Sequence, residues 1–328
     1  MGSQLQESHV KDTIPSIENE ATDVGQRDFV ARGVYNFLSQ LDIPENPLWR
    51  GDSNAPSISD MLQEIVLLRT TMRPSDSLEY HEKLYYLKLK FILTANLGED
   101  EGTLDMASTK NAINKTCSNF TREEQVTRNL LDAINHLEAI NQDGESKGLL
   151  DVEECIQDTH EILMNKLLSS NKLGEFSTED RFAHYNGKIH YYPRFYSTDD
   201  AYKHILQMVD TYNSTVEYIK KSSLEPKLEI SLYFRCAAWL LYNFVALHPF
   251  SDGNGRMCRL LASHCLYLVC PFPCPIYNVF APTTRNDYLE SVIKAQESGG
   301  RNLGPIVALL VESGWYTYRE LLGVNACN

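Results

Sequence analysis

Leu247-His248-Pro249-Phe250-Ser251-Asp252-Gly253-Asn254-Gly255-Arg256-Met257-Cys258-Arg259 joins two apolar stretches of helical periodicity, Ile230 to Leu247 and Arg256 to about Val269. It therefore reads as a loop held between two buried helices, the kind of place where a rigid scaffold presents chemistry. Gly253-Asn254-Gly255 can take backbone angles that aim successive N–H groups at one point, and the positive end of the next helix dipole starts there. Arg256 and Arg259, three residues apart, share one side of the first turn. Cations are disfavoured at a helix N-terminus, so their placement asks for an anion. Asp252 beside such a cradle makes sense if a hard, oxygen-liganded Mg²⁺ bridges carboxylate and phosphate. His248, at the end of the preceding helix, has an ordinary pKa near neutrality and suits a general base. Pro249 and Phe250 read as loop stiffener and core anchor.

Working outward, the chain reads as helical almost throughout. Residues 1–27 are polar and acidic without apolar periodicity and are expected to form a mobile tail. From Phe29, Val30, Val34, Phe37, Leu38 and Leu41 recur at helical spacing until Pro44 and Pro47. A second helix runs through Met61, Ile65 and Leu68, and a third from about Leu78 to Asn96, ahead of Gly98-Glu99-Asp100-Glu101-Gly102. Others are expected at about 121–141, 151–169, 199–221 and 229–247. The exception is a hairpin: Arg181–Tyr185 and Lys188–Tyr192 are β-prone and flank Asn186-Gly187, a pair suited to a two-residue turn with positive φ. Four parts are expected: the tail 1–27, an N-terminal helical region 28–118 with a candidate regulatory segment at 94–102, a principal domain 119–322, and a C-terminal tail 323–328.

Composition narrows the function classes. Thirty Lys+Arg against 44 Asp+Glu give a net charge of −14, which argues against nucleic acid or an anionic membrane as main partner. Met1–Gln6 lacks the basic and apolar blocks of a secretory signal, lipid-anchor motifs are not matched, and no stretch reads as a membrane span. The expectation is a soluble, cytoplasmic protein. The eight cysteines are scattered through apolar stretches and read as reduced thiols; Cys270-Pro-Phe-Pro-Cys274 does not have the spacing of a zinc knuckle.

From His248 to Arg259 the chain resembles, at every defined position, the signature of the Fic (Fido) family, His-Pro-Phe-x-(Asp/Glu)-Gly-Asn-Gly-Arg-x-x-Arg. A looser likeness extends over about residues 94–322. It includes the helix 121–141, His160, Gly174-Glu175-Phe176 and Arg285-Asn286-Asp287-Tyr288. The resemblance implies a mainly α protein: an all-helical Fic core with a β-hairpin flap, here with an N-terminal helical extension. It also implies protein adenylyltransferase activity, moving AMP from ATP to a Ser, Thr or Tyr hydroxyl and releasing pyrophosphate. In that scheme His248 is the base, Asp252 holds Mg²⁺, and Gly253, Asn254 and Gly255 bind the inner phosphates. Arg256 and Arg259 hold the outer ones. Tyr288 and Gln296 fall where the family contacts adenine, with Gln where Asn is commoner. The flap, Lys188, Ile189 and His190, receives a target segment by strand addition. Homodimerisation is compatible with the sequence.

Two departures stand out. Many relatives carry an autoinhibitory helix, Ser/Thr-x-x-x-Glu-Gly/Asn, whose Glu pairs with the second signature Arg. Thr94-Ala95-Asn96-Leu97 threads onto it with Gly98 at the inhibitory position and Glu99 and Glu101 nearby. Either the acidic run is a solvated turn, or one of these glutamates reaches Arg259. Secondly, the family's Gly-Glu-Phe-Arg reads Gly174-Glu175-Phe176-Ser177 here, which leaves the flap without its usual anchor. Two further readings stay open: a Fic-fold enzyme that uses UMP, phosphocholine or phosphate donors or removes AMP, the last disfavoured by the missing inhibitory Glu, and a non-catalytic nucleotide-binding scaffold.

Overall fold

In a computed structural model, residues 24–51, 55–72, 77–117, 119–142, 147–185, 187–277 and 284–324 are described. Eleven α-helices and one two-stranded sheet make up the regular structure of these residues. Helix α1 (Val24–Ser39) begins ahead of Phe29, inside the expected tail; the rest of that tail lies outside the described residues. It is followed by α2 (Ile58–Thr71), α3 (Leu78–Glu99), α4 (Met106–Asn114) and α5 (Arg122–Gln142). A π-helical turn, Val152–Asp158, leads into the short α6 (Thr159–Met164). The sequence suggests a helix to residue 169. The chain instead leaves it at Met164, where Asn129 Nδ2 donates to the Leu163 and Asn165 carbonyls (3.1 and 2.7 Å) and satisfies the freed acceptors. After the hairpin come α7 (Thr198–Lys221), α8 (Pro226–Leu247), α9 (Asn254–Leu266), α10 (Arg285–Glu297) and α11 (Gly304–Leu322).

Helix α8 is the hub, packing against α9, α7, α11, α2, α1 and α10. Leu232, Phe234, Ala237, Leu240, Leu241 and Phe244 are all buried, because a helix apolar all round must be enclosed on all sides. It is long and apolar enough to cross a bilayer, with a mean hydropathy of 1.4 over its best window. Here it is the middle of a protein core instead. The N-terminal helices join the same core: α1 lies on α7, and α2 on α11 and α8. Arg50 and Glu312 form a buried ion pair at 2.9 Å, Trp49 Nε1 adds a hydrogen bond to Glu312 at 2.8 Å, and Trp315 Nε1 reaches Glu64. Cys155, Cys236, Cys258, Cys265, Cys270 and Cys274 are free thiols in the interior, and Cys117 is exposed.

The hairpin pairs β1 (Phe182–Tyr185) with β2 (Lys188–Tyr191) antiparallel, Phe182 opposite Tyr191 and Tyr185 opposite Lys188. Gly187 has φ +73°, as the turn chemistry demands; Asn186 lies outside the described residues. One further bond, Tyr192 N–H to the Arg181 carbonyl at 2.9 Å, closes the base of the ladder.

Candidate active site

The loop between α8 and α9 is fixed from below. At its start His248 adopts the left-handed region (φ 46°, ψ 58°) and its N–H bonds to the Phe244 carbonyl at 2.9 Å, ending α8. Phe250 is fully buried, with its ring stacked on that of His160 at 3.7 Å. Asn254, expected among the phosphate ligands, spends its side chain on the loop. Oδ1 accepts from the Phe250 N–H (3.0 Å) and Nδ2 donates to the Phe250 carbonyl (2.8 Å). What it leaves for an anion is its backbone N–H at the start of α9.

His160 is the second brace. It is buried, its Nδ1 accepts from the Gly174 N–H (3.0 Å), and its Nε2 donates to the Asp252 carbonyl (3.1 Å). Those roles require the neutral Nε2–H tautomer. Burial holds its pKa down to about 4. His160 thus ties the cradle to the strand of chain that leads to the flap, a role its sequence position alone did not disclose.

At the cradle, Gly253 has φ +77°, and a Cβ there would lie 2.7 Å from Met164 Sδ. A side chain is excluded by conformation and by space. Asp252 projects outward, one carboxylate oxygen accepting from the Gly253 N–H at 2.6 Å. Arg256 and Arg259 are 2% and 3% exposed. Nε and Nη1 of Arg256 and Nε of Arg259 are buried without a partner. Two buried guanidinium groups with unsatisfied donors are costly unless anions meet them.

Carboxylates do meet them. Glu99, the last residue of α3, bonds to Arg259 Nη1, and Glu101 Oε2 lies 3.0 Å from Arg256 Nη2. A Cβ on Gly255 would lie 2.6 Å from Glu99 Oε2, so that carboxylate sits on the backbone at the N-terminus of α9. The solvated-turn alternative is therefore overturned: the acidic run is inserted into the site. The helix end expected at Asn96 is corrected as well. Helix α3 continues through Gly98, and the left-handed residue that closes it is Asp100 (φ 54°). Gly98 is required inside the helix for closeness, because a Cβ would lie 2.5 Å from Arg259 Nη2 and 2.7 Å from the Tyr277 hydroxyl. The Gly98 carbonyl accepts from Arg285 Nε.

His248 lies beside this cradle. Its Nδ1 is buried and completes no hydrogen bond, although the Val245 carbonyl on that side favours a proton there. Burial first, and then the Arg181 cation, push its pKa down to about 4. The ring is neutral at pH 7 and can accept a proton. Its face stacks on Tyr192 at 3.7 Å with 7° between the planes.

The flap is anchored without the usual arginine after Phe176. Ser177 N–H donates to the Pro249 carbonyl at 2.8 Å. Arg181, buried with its guanidinium 4.8 Å over the Phe195 ring, donates to the Ser177 and Pro193 carbonyls on the two sides of the hairpin. One arginine, displaced along the chain, gathers both ends. Ile189 and His190 are exposed; of Lys188 only the backbone, in β2, is described. Tyr288 is buried, its hydroxyl 3.7 Å from Cys258 Sγ and its ring 5.7 Å beneath the Arg259 guanidinium. Gln296, two turns on, lies instead 3.5 Å from His190 Nε2. The two expected base contacts thus face different neighbours, one the cradle and one the flap. Arg181, Tyr192 and His160 are the residues that sequence reasoning did not place in the site. The symmetric position of Arg181 and Tyr192 at the two ends of the hairpin was the available signal.

A helical core with this loop, cradle and flap defines a Fic-type protein, and comparison with known proteins agrees. Residues 149–266 match the Fic/DOC family. A Fido domain-containing protein of Dictyostelium discoideum is 32% identical over 123 residues, 37% of this chain and 76% of that protein. The ribonucleoside-diphosphate reductase small chain of Ostreid herpesvirus 1 is 28% identical over 153 residues, which is 47% of this chain and 24% of that protein. The chain thus spans about a quarter of one curated relative and about three quarters of the other. Among solved structures, Fic-1 from C. elegans matches with TM-score 0.61 and 19% identity over 80% of this chain and 71% of that one. A Fic domain containing signalling protein from Bacteroides thetaiotaomicron gives 0.61 and 20% over 82% and 98%. At that identity these structures speak for the fold. The chain belongs to the Fic/DOC family.

Proposed function

We propose that the protein is an adenylyltransferase that moves AMP from ATP onto a Ser, Thr or Tyr hydroxyl of another protein. The observation that carries this reading is a neutral, half-buried His248, its Nδ1 enclosed, beside two buried arginines with unused donors at a helix N-terminus. Binding alone needs no base; transfer to a hydroxyl does. The hydroxyl oxygen attacks the α-phosphorus, its proton passes to His248, and the bond to the pyrophosphate oxygen breaks. The cradle N–H groups, Arg256 and Arg259 stabilise the charge that develops. The exposed hairpin positions the acceptor segment, which lowers the entropic part of the barrier.

The residues present fit a magnesium nucleotide. Among the described residues no cluster of three or more His, Cys, Asp or Glu could hold a metal alone. Mg²⁺ commonly takes one or two carboxylates and completes its shell with water and substrate phosphates. Asp252, exposed at the cradle's edge, would hold it, and the ion would supply charge neutralisation on the phosphates.

On this reading Glu99 and Glu101 occupy the arginines that would hold the outer phosphates. We read them as a brake. Glu99→Ala is expected to raise self-labelling at least tenfold, and Glu101→Ala less, since Glu101 shares its charge with Arg122 at 3.7 Å. The presence of a carboxylate at Arg259 removes the objection to AMP removal, and this is the second reading. It predicts that Glu99→Ala loses hydrolysis of an AMP-modified target while gaining transfer.

The test is incubation of wild type, Glu99→Ala and Glu99→Ala/His248→Ala with Mg²⁺ and ATP labelled at the α- or γ-phosphate. Label retained from the α-position alone, and lost with His248, is the expected result. Retention of γ-label, or full transfer without His248, would overturn the reading.

A further inference from the structure

A histidine base is normally held by a hydrogen bond from its second ring nitrogen to a carboxylate or carbonyl, which fixes tautomer and direction together. At His248 the Val245 carbonyl stands beside the ring and favours a proton there, but it does not reach completed hydrogen-bond geometry. Nδ1 completes no hydrogen bond, and no carboxylate pairs with it among the described residues. What covers the ring is Tyr192, face to face at 3.7 Å and 7°. Tyr192 belongs to the flap: its N–H closes the hairpin ladder on the Arg181 carbonyl. The His190 ring packs edge-on against Tyr192 at 5.0 Å, and His190 in turn meets Gln296 at 3.5 Å. A continuous line of contacts therefore runs from Gln296 through His190 and Tyr192 to His248.

We propose that Tyr192 is the positioning residue for His248, and that it makes the alignment of the base depend on the seating of the flap. This rests on the reading of His248 as base. A β-hairpin of two strands is marginally ordered by itself, and here much of its side-chain surface is open: Phe182, Ile189 and Tyr191 are each about half exposed or more. An acceptor segment added along β2 would pair its free edge and restrict the hairpin. Tyr192, one residue beyond β2, would carry that restriction to the imidazole face. Nε2, the nitrogen not buried, would then be presented to the cleft in one direction. The flap on this view is more than a docking rail, since it completes the base only when occupied.

The contact is between ring faces, so the ring and not the hydroxyl is what counts. Tyr192→Leu fills similar space without a ring; Tyr192→Phe keeps the ring. Two readouts on the full chain test the idea. The first is the rate at which diethyl pyrocarbonate modifies His248, followed by peptide mass spectrometry without nucleotide. The second is kcat and KM for ATP in self-labelling in the Glu99→Ala background. Tyr192→Leu is expected to speed modification at least fivefold and to lower kcat at least tenfold with KM for ATP within twofold of its parent. Tyr192→Phe is expected to bring both quantities most of the way back to the parent's values. Should Tyr192→Leu misfold, as judged by its melting temperature, Tyr192→Met and Tyr192→Trp carry the same contrast. A modification rate unchanged in the ring-free variants, or a change confined to KM for ATP, would overturn the proposal. If the parent transfers no α-label at all, the adenylyltransferase reading falls, while the modification rates still decide what holds His248.

Discussion

The cradle and the flap lie against each other and are built on opposite principles. Below the cradle every contact is buried: Phe250 stacks on His160, Asn254 bonds both polar groups of the Phe250 backbone, and His160 grips the Asp252 carbonyl. The flap exposes most of its described side chains and is tied down at its ends, by Arg181, by one backbone bond to Pro249 and by the Tyr192 ring on His248. An anion site gains from fixed dipoles that need no rearrangement on binding, whereas a surface that accepts a peptide edge gains from being free to adjust. On the proposed function, the rigid part carries the chemistry and the adaptable part the choice of target.

The comparison can be broken most severely at the base. In the Glu99→Ala background, His248→Ala is expected to reduce AMP transfer by about 10³-fold, within the usual range for a general base, with melting temperature unchanged. Next comes the loop staple. Asn254→Ala would leave a buried N–H and a buried carbonyl unpaired, so a loss of about 2–4 kcal/mol in denaturant unfolding is expected, together with loss of nucleotide binding. A purely ligand-directed role for Asn254 predicts the second effect without the first.

Acid should undo the cradle before the flap. His160 and His264 are buried, the latter between Asn141 and the Leu149 carbonyl, and burial lowers both to a pKa of about 4. Below the ordinary value near 6.5 the unfolded chain binds protons that the native state refuses. The stability these rings contribute is therefore complete above pH 6.5 and declines as pH falls towards 4. Between pH 6.5 and 5 each would cost about 2 kcal/mol. Substituting His160 by Asn should flatten this slope in unfolding measured across that range. The smallest effect sharpens the contrast from the other side. Arg181→Met frees both ends of the hairpin, and the expected outcome is faster amide exchange in residues 182–191 and a rise of about tenfold in KM for a protein target, worth about 1.4 kcal/mol. Affinity for ATP should stay within twofold.

Several features were legible in the residues because their causes are local. Helix periodicity placed α2, α5, α7 and α8 to within a few residues, and Asn186-Gly187 announced the hairpin. The order of Gly253, Asn254, Gly255, Arg256 and Arg259 marked a candidate anion site, since a helix N-terminus and its side chains are set by neighbours in the chain. One local reading misled. Gly98 resembles a helix stop, yet it lies inside α3, because what requires a glycine there is the approach of Arg259 and Tyr277 from distant parts of the chain. Asn254 reads as part of the cradle, and its side-chain amide serves Phe250 while its backbone N–H stays at the start of α9.

By itself, then, the sequence determined a helical protein with a glycine-rich loop at a helix N-terminus, an adjacent histidine and a hairpin, because periodicity, turn chemistry and helix-end electrostatics act over a few residues. Only the tertiary structure decided that Glu99 and Glu101 lie on Arg259 and Arg256, that Arg181 takes over the flap's anchorage, and that Tyr192 covers His248. The glutamate and Tyr192 contacts join groups far apart in the chain, whose meeting depends on how α3, α9 and the hairpin come together, and Arg181 reaches carbonyls that only the folded hairpin brings within range of one guanidinium.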